Sequence, residues 1–138
     1  MQIHKLAQTP APPAQSEDLK ALFRMHAELC KAMASEHRQA IMHAICTDEK
    51  CVSDLAAEIG ISVHNVSQHL RVLKERGLVA SRKDGQAVYY HVTNQKFMEA
   101  CALMRQALIE QHQEQGASLQ AAGQYEAKLR ITSAGTPA

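Results

Sequence analysis

The stretch CVSDLAAEIGISVHNVSQHLRVLKERGLV, Cys51 to Val79, decides the fold. Its centre, Val52 to Lys74, reads as two short amphipathic helices joined by a turn at Gly60-Ile61-Ser62. Val52, Leu55, Ala56 and Ile59 recur at helical spacing in the first helix, and Val63, Val66, Leu70 and Leu73 in the second, so each should bury one face. Gly60 supplies the backbone freedom that ends the first helix. Ser62 is a good N-cap for the second, because its hydroxyl can accept an orphan backbone N–H. The outward face of the second helix carries His64, Asn65, Ser67, Gln68, Arg71 and Lys74, with Ser62 at its start. Short or planar hydrogen-bonding groups come early and cations later. That order suits a helix whose N-terminal half reads base edges in a major groove while its C-terminal half touches phosphate. Asn65 and Gln68 suit adenine edges, Arg71 guanine or phosphate, and Lys74 phosphate. His69 belongs at the hydrophobic border beside Leu70, in a structural role.

The 138 residues suit one domain with a single core. With two Phe, three Tyr and no Trp, that core must be aliphatic, with Ala and Met. The net charge of +1 does not by itself point to nucleic acid. Between Arg71 and Lys83, however, Arg71, Lys74, Arg76, Arg82 and Lys83 face only Glu75, and a local basic patch is a better electrostatic footprint than the overall balance. No apolar run approaches the roughly 20 residues that a membrane helix needs, and the N-terminus lacks the layout of a signal peptide. A cytoplasmic protein without a membrane partner is expected. In that reducing compartment Cys30, Cys46, Cys51 and Cys101 read as buried thiols, metal ligands or redox sensors rather than structural disulfides.

Outward from the centre, residues 1–16 contain Thr9-Pro10-Ala11-Pro12-Pro13 and read as a flexible N-terminal arm. From Glu17, the series Leu19, Leu22, Phe23, His26, Leu29, Cys30 and Met33 traces a first helix, and Ser35 caps a second that ends near Cys46. Beyond Gly77, Leu78 to Arg82 and Ala87 to Val92 are two β-favouring runs around an Asp84-Gly85 hairpin signal. Arg82, Lys83 and Gln86 surround the tip of this wing, within reach of a DNA backbone or minor groove. Tyr89 and Tyr90 alternate, so one faces the core and one the surface. Thr93 or Asn94 can cap a last helix with Phe97, Ala100, Cys101, Met104 and Leu108 along one stripe, running to about Gln115. That stripe and the first helix's stripe are expected to pack together and across a twofold axis, giving a homodimer that presents two reading helices to double-stranded DNA. The domain thus spans residues 17–115. Residues 116–138 read as a disordered tail, with a short helix around Leu119, Ala122, Glu126 and Leu129 as the alternative.

Cys30 and Cys101 fall on apolar stripes, where a cysteine behaves as a small hydrophobe. Cys46 and Cys51 bracket a polar turn, and Cys51 stands at a helix N-terminus, a position that favours anions. Cys51 is therefore the leading thiol for a soft metal, metalloid, oxidant or reactive sulfur species, with Cys46 its nearest partner. His43, Asp48 and Glu49 are further candidate ligands, as is His112 with Glu110 and Glu114, although such groups are usually only solvated. Two thiols alone do not complete a tetrahedral zinc site. No phosphate loop, nucleophile elbow or His-Glu-x-x-His motif is present. The rival readings of another class are a winged helix used for protein contact and a thiol enzyme working through Cys46 and Cys51.

The order helix, helix, helix-turn-helix, hairpin, helix resembles the ArsR/SmtB family of winged helix-turn-helix repressors. The resemblance rests on Ala32-Met33-Ala34-Ser35-Glu36-His37-Arg38, Cys51-Val52-Ser53-Asp54-Leu55-Ala56, Val66-Ser67-Gln68-His69-Leu70-Arg71-x-Leu73, Gly77-Leu78-Val79 and Gly85-x-x-Val88-Tyr89-Tyr90. It implies a mainly α fold with a small β-hairpin wing, dimeric through the first and last helices. It also implies a repressor that leaves its operator when an inducer, a thiophilic metal or metalloid or a thiol-redox event, is sensed. The family's thiol site commonly reads Cys-Val-Cys, whereas Ser53 stands second here. Its zinc site would fall near Asn94, Lys96, Ala107 and Glu110, three of which cannot ligate as the family does, so that site is not expected.

Overall fold

The computed structural model describes residues 14–112 and 121–124. In chain order the elements are α1 (Glu17–Met33), α2 (Glu36–Ala44), β1 (Lys50–Cys51), α3 (Val52–Ile59), α4 (Val63–Glu75), β2 (Val79–Asp84), β3 (Ala87–Val92) and α5 (Gln95–Gln111). The expected arm lies outside the described residues up to residue 13, and the expected tail lies outside them apart from a helical turn at 121–124.

Local chemistry sets the helix ends. Ser16, Ser35, Ser62 and Asn94 each accept a backbone N–H from the first turn of the helix they precede. Gly60 closes α3 at φ 80°, a left-handed conformation that a side chain resists. After α4, the Leu78 N–H bonds to the Leu73 carbonyl and the Gly77 N–H to the Lys74 carbonyl, a Schellman motif that Gly77 permits with φ 73°. Where α1 turns into α2, Arg38 Nε donates to the Ala32 carbonyl and Gln39 Nε2 to that of Met33 at 2.9 Å. Carbonyls that the end of α1 leaves without helical partners are thereby satisfied.

The core lies under the helix-turn-helix. Ile41, Met42 and Ile45 from α2 and its C-cap meet Leu55 of α3, Val66, Leu70 and Leu73 of α4, and Leu78 and Val79 at the start of the wing. Each such side chain contributes roughly 1.5–3 kcal/mol when buried. Val63 departs from the expected apolar stripe: it is 52% exposed, whereas Val66 and Leu70 further along the helix are buried.

The wing belongs to a three-stranded antiparallel sheet of order β1-β3-β2. Strand β1 was not expected, the polar segment before Cys51 having been read as a turn. It pairs Lys50 with Tyr90 and Cys51 with Tyr89. In the hairpin Asp84 pairs with Ala87, so the loop is Gly85-Gln86 rather than four residues. Gly85 occupies its first position at φ 62°, as a two-residue turn with glycine first requires.

Helix α5 is anchored by its first half, where Met98, Cys101 and Ala102 are buried and Gln95 Nε2 donates to the Cys46 carbonyl at 2.9 Å. Met104 and Leu108, read as part of its apolar stripe, are exposed, together with Leu103. On α1, Leu19, Leu22, Phe23 and Met25 are exposed as well.

Candidate nucleic-acid interface

Helix α4 presents His64, Asn65, Ser67, Gln68, Arg71 and Lys74 to solvent, all of them exposed. Ser62, also exposed, has its hydroxyl oxygen committed to the Asn65 N–H at 3.1 Å, which fixes the first turn from which the reading positions project. Val63 joins this surface as an apolar group that helical periodicity assigned to the core. The signal that could have placed it is its position directly after the N-cap, where a helix has the least cover.

The cations of the patch are not equally available. Arg71 lies 3.8 Å from Glu75, one turn on, with both side chains well exposed. Lys74 Nζ donates to Ser81 Oγ at 2.8 Å and so bridges α4 to the wing. Arg76 pairs with Glu28 of α1 at 3.0 Å. At the wing, Lys83 and Gln86 are exposed. Arg82, on the same strand as Lys83, is drawn to Glu49 in the turn before β1 and lies over the Tyr89 ring, 4.9 Å from its centroid. Hydrogen bonding from Arg82 holds the Glu49 carboxyl below the usual carboxylate range against the opposing effect of burial, and the charges of Arg82 and His91 lower it further. Tyr90 packs against the core and Tyr89 does not, as the alternation requires.

His69 is half-buried between α4 and α2. Its Nδ1 lies 3.4 Å from Arg38 Nη1, and its ring centroid 5.6 Å from that of His37. Burial, then the charges of Arg38 and His37, lower its pKa. A structural placement at the hydrophobic border is what the sequence indicated.

Among the described residues no cysteine forms a disulfide. Cys51 is half-buried as the N-cap of α3, makes no side-chain cap, and has Sγ 3.2 Å from Ser53 Oγ. Cys46 is half-buried against the core. Cys101 is buried, as its stripe implied, but Cys30 is exposed, because α1 meets the rest of the chain near its C-terminal end and leaves this face uncovered. Among the described residues no three His, Cys, Asp or Glu side chains gather as a metal site. Of the candidate ligands, Glu49 is engaged by Arg82, Asp48 lies 3.4 Å from the Thr47 hydroxyl, and His112 Nδ1 lies 2.8 Å from the Leu108 carbonyl. Glu114 is outside the described residues. No helix among them is long and apolar enough to cross a membrane.

Two helices with a glycine-ended turn, a hairpin wing beside them and a polar, exposed second helix define a winged helix-turn-helix protein. The family model for bacterial regulatory proteins of the arsR family matches residues 35–81. The cadmium resistance transcriptional regulatory protein CadC of Listeria innocua is 43% identical over 74 residues, 53% of this chain and 62% of that protein. The HTH-type transcriptional regulator Rv0081 of Mycobacterium tuberculosis is 32% identical over 88 residues, 63% of this chain and 77% of that protein. A solution structure from Mycobacterium bovis, described as a homodimeric winged helix-turn-helix DNA-binding domain, superposes with a TM-score of 0.63 at 28% identity, covering 76% of this chain and 96% of that one. The chain belongs to the arsR family of bacterial regulatory proteins.

Proposed function

We propose that this protein is a homodimeric transcriptional repressor that binds double-stranded operator DNA through α4 and the wing and releases it when an inducer reacts with its cysteine thiolates. The observation that carries this reading is the outward face of α4, where Asn65, Ser67 and Gln68 stand exposed ahead of Arg71 and Lys74. His64 and Val63 flank the base-reading positions, and an apolar group there suits a thymine methyl. Ser62, Lys83 and Gln86 take backbone contacts. Helices α1 and α5 supply the dimer surface with the apolar side chains they leave exposed.

The inducer is a thiophilic metal or metalloid, sensed through Cys51 with Cys46 or with Cys30 and Cys101. Support comes from the position of Cys51 at the threshold of the helix-turn-helix and from the name of the cadmium resistance relative. A thiol-redox or reactive-sulfur trigger uses the same side chains.

Fluorescence anisotropy with DNA from upstream of the protein's own and neighbouring genes tests the first half. A salt-sensitive preference over random DNA is expected, and its absence ends the repressor reading. Release of that DNA, measured against cadmium, arsenite, peroxide and polysulfide, tests the second half. A Cys51→Ser variant that responds like the wild type removes Cys51 from the switch.

A further inference from the structure

The three strands set a row of side chains on one face of the sheet. Cys51 of β1 is opposite Tyr89 of β3, and Tyr89 is opposite Arg82 of β2. Residues directly opposite in adjacent strands project from the same face. Ser81 and its partner Tyr90 project from the other face, where Tyr90 meets the core and Ser81 accepts from Lys74 of α4. Arg82 is therefore turned away from the face that meets the recognition helix. It grips both oxygens of Glu49, with Nε 2.8 Å from Oε1 and 2.7 Å from Oε2, and Nη2 donates to Oε1 as well. Glu49 stands in the turn that Cys46 and Cys51 bracket.

We propose that Glu49 and Arg82 are a positioning pair for the wing. They strap the hairpin to the cysteine-bracketed turn and set the angle at which Lys83 and Gln86 meet DNA, while Arg82 itself leaves phosphate to its neighbours. The proposal rests on the DNA-binding reading above. Beyond the level of Arg82 and Tyr89, the hairpin has only the pairs Lys83–Val88 and Asp84–Ala87 before its turn, so the strap acts close to the tip. An exposed ion pair ordinarily adds little stability. A guanidinium that holds a carboxylate with more than one N–H and also stacks on an aromatic ring does fix direction, and lysine does not reproduce it. Because Glu49 lies between the two thiols, any displacement of that turn is passed to the wing.

The sign of one substitution separates this strap from plain electrostatics. Glu49→Gln removes a carboxylate near the DNA, so charge alone makes binding tighter. The strap requires the reverse: operator binding by the full chain weakens several-fold in anisotropy titrations, with the same slope of log affinity against log salt, since no phosphate contact is lost. Arg82→Lys keeps the charge and loses the fork, and it is expected to weaken binding by a similar factor. The double variant should be no weaker than either single one, because both remove the same interaction. Circular dichroism checks that each variant is folded. Binding that is unchanged or tighter in Glu49→Gln, or unchanged in Arg82→Lys, overturns the strap alone. A wild-type chain with no DNA preference overturns the DNA-binding reading and the strap with it.

Discussion

His69 stands where α2 and α4 meet, and its neighbours give its titration a definite sign. Burial, the Arg38 charge and the His37 charge all favour the neutral imidazole in the folded chain. The unfolded chain then binds more protons over the interval between the two pKa values, so stability rises with pH across it. The contribution is fully present above the ordinary imidazole value of about 6.5 and is lost as pH falls through it toward the lower folded value. The thermal midpoint followed by circular dichroism is expected to drop on acidification below about pH 6.5, and less steeply in His69→Gln. An equally steep drop in that variant would assign the effect to other groups. On the outward side of the same helix, Glu75 holds Arg71 only across 3.8 Å, worth a few tenths of a kcal/mol for such a helical pair. The Arg71 guanidinium is therefore exposed and only loosely held, and Gln68 is exposed one turn earlier. Alanine at Gln68 or Arg71 is expected to weaken operator binding by about 1–3 kcal/mol each, and unchanged titrations would move base reading elsewhere. The cations themselves were legible in the sequence, whereas their partners were not. Glu28 arrives from α1 and Glu49 from the turn before β1, and only tertiary packing brings them to Arg76 and Arg82.

At the scale of elements, legibility followed the range of the forces involved. Caps and helical stripes act within a few residues, and Ser35, Gly60, Ser62 and Asn94 do what their local chemistry indicates. Strand β1 is two residues long and exists because β3 pairs with it, so nothing local announces it. The hairpin was legible from Asp84-Gly85, but its register depends on cross-strand pairing, which moves Asp84 into the ladder. Ser62 gives an element-level test, since it both caps α4 and stands on the proposed DNA face. Ser62→Ala should lower stability to urea by about 1 kcal/mol. Ser62→Asp should keep the cap and the stability, yet weaken operator binding, because it places a carboxylate against phosphate. Equal DNA affinity for Ser62→Asp and the wild type would move the start of α4 away from the nucleic acid.

For the whole molecule, the question is what covers α1 and α5. Leu19, Leu22, Phe23 and Met25 on α1, and Leu103, Met104 and Leu108 on α5, are exposed in the single chain. Burying one such side chain contributes roughly 1.5–3 kcal/mol, and an apolar surface of this kind marks a contact site. A twofold interface uses the same patch on both subunits, so in the proposed dimer α1 and α5, each 17 residues and about 25 Å long, would be covered by the partner's copies of these two helices. The same axis would carry two α4 helices to half-sites about one DNA turn apart. Leu22→Glu with Leu108→Glu is therefore expected to shift sedimentation from dimer to monomer while helix content is retained, because Leu22 and Leu108 are 57% and 54% exposed and outside the core. The monomer should bind a full operator no more tightly than a half-site. Cys30, exposed on α1 in the single chain, adds an independent readout: the dimer should shield it from iodoacetamide, and the double variant should restore its alkylation. A dimer that survives both glutamates, with Cys30 alkylated at the wild-type rate, would place the interface on another surface.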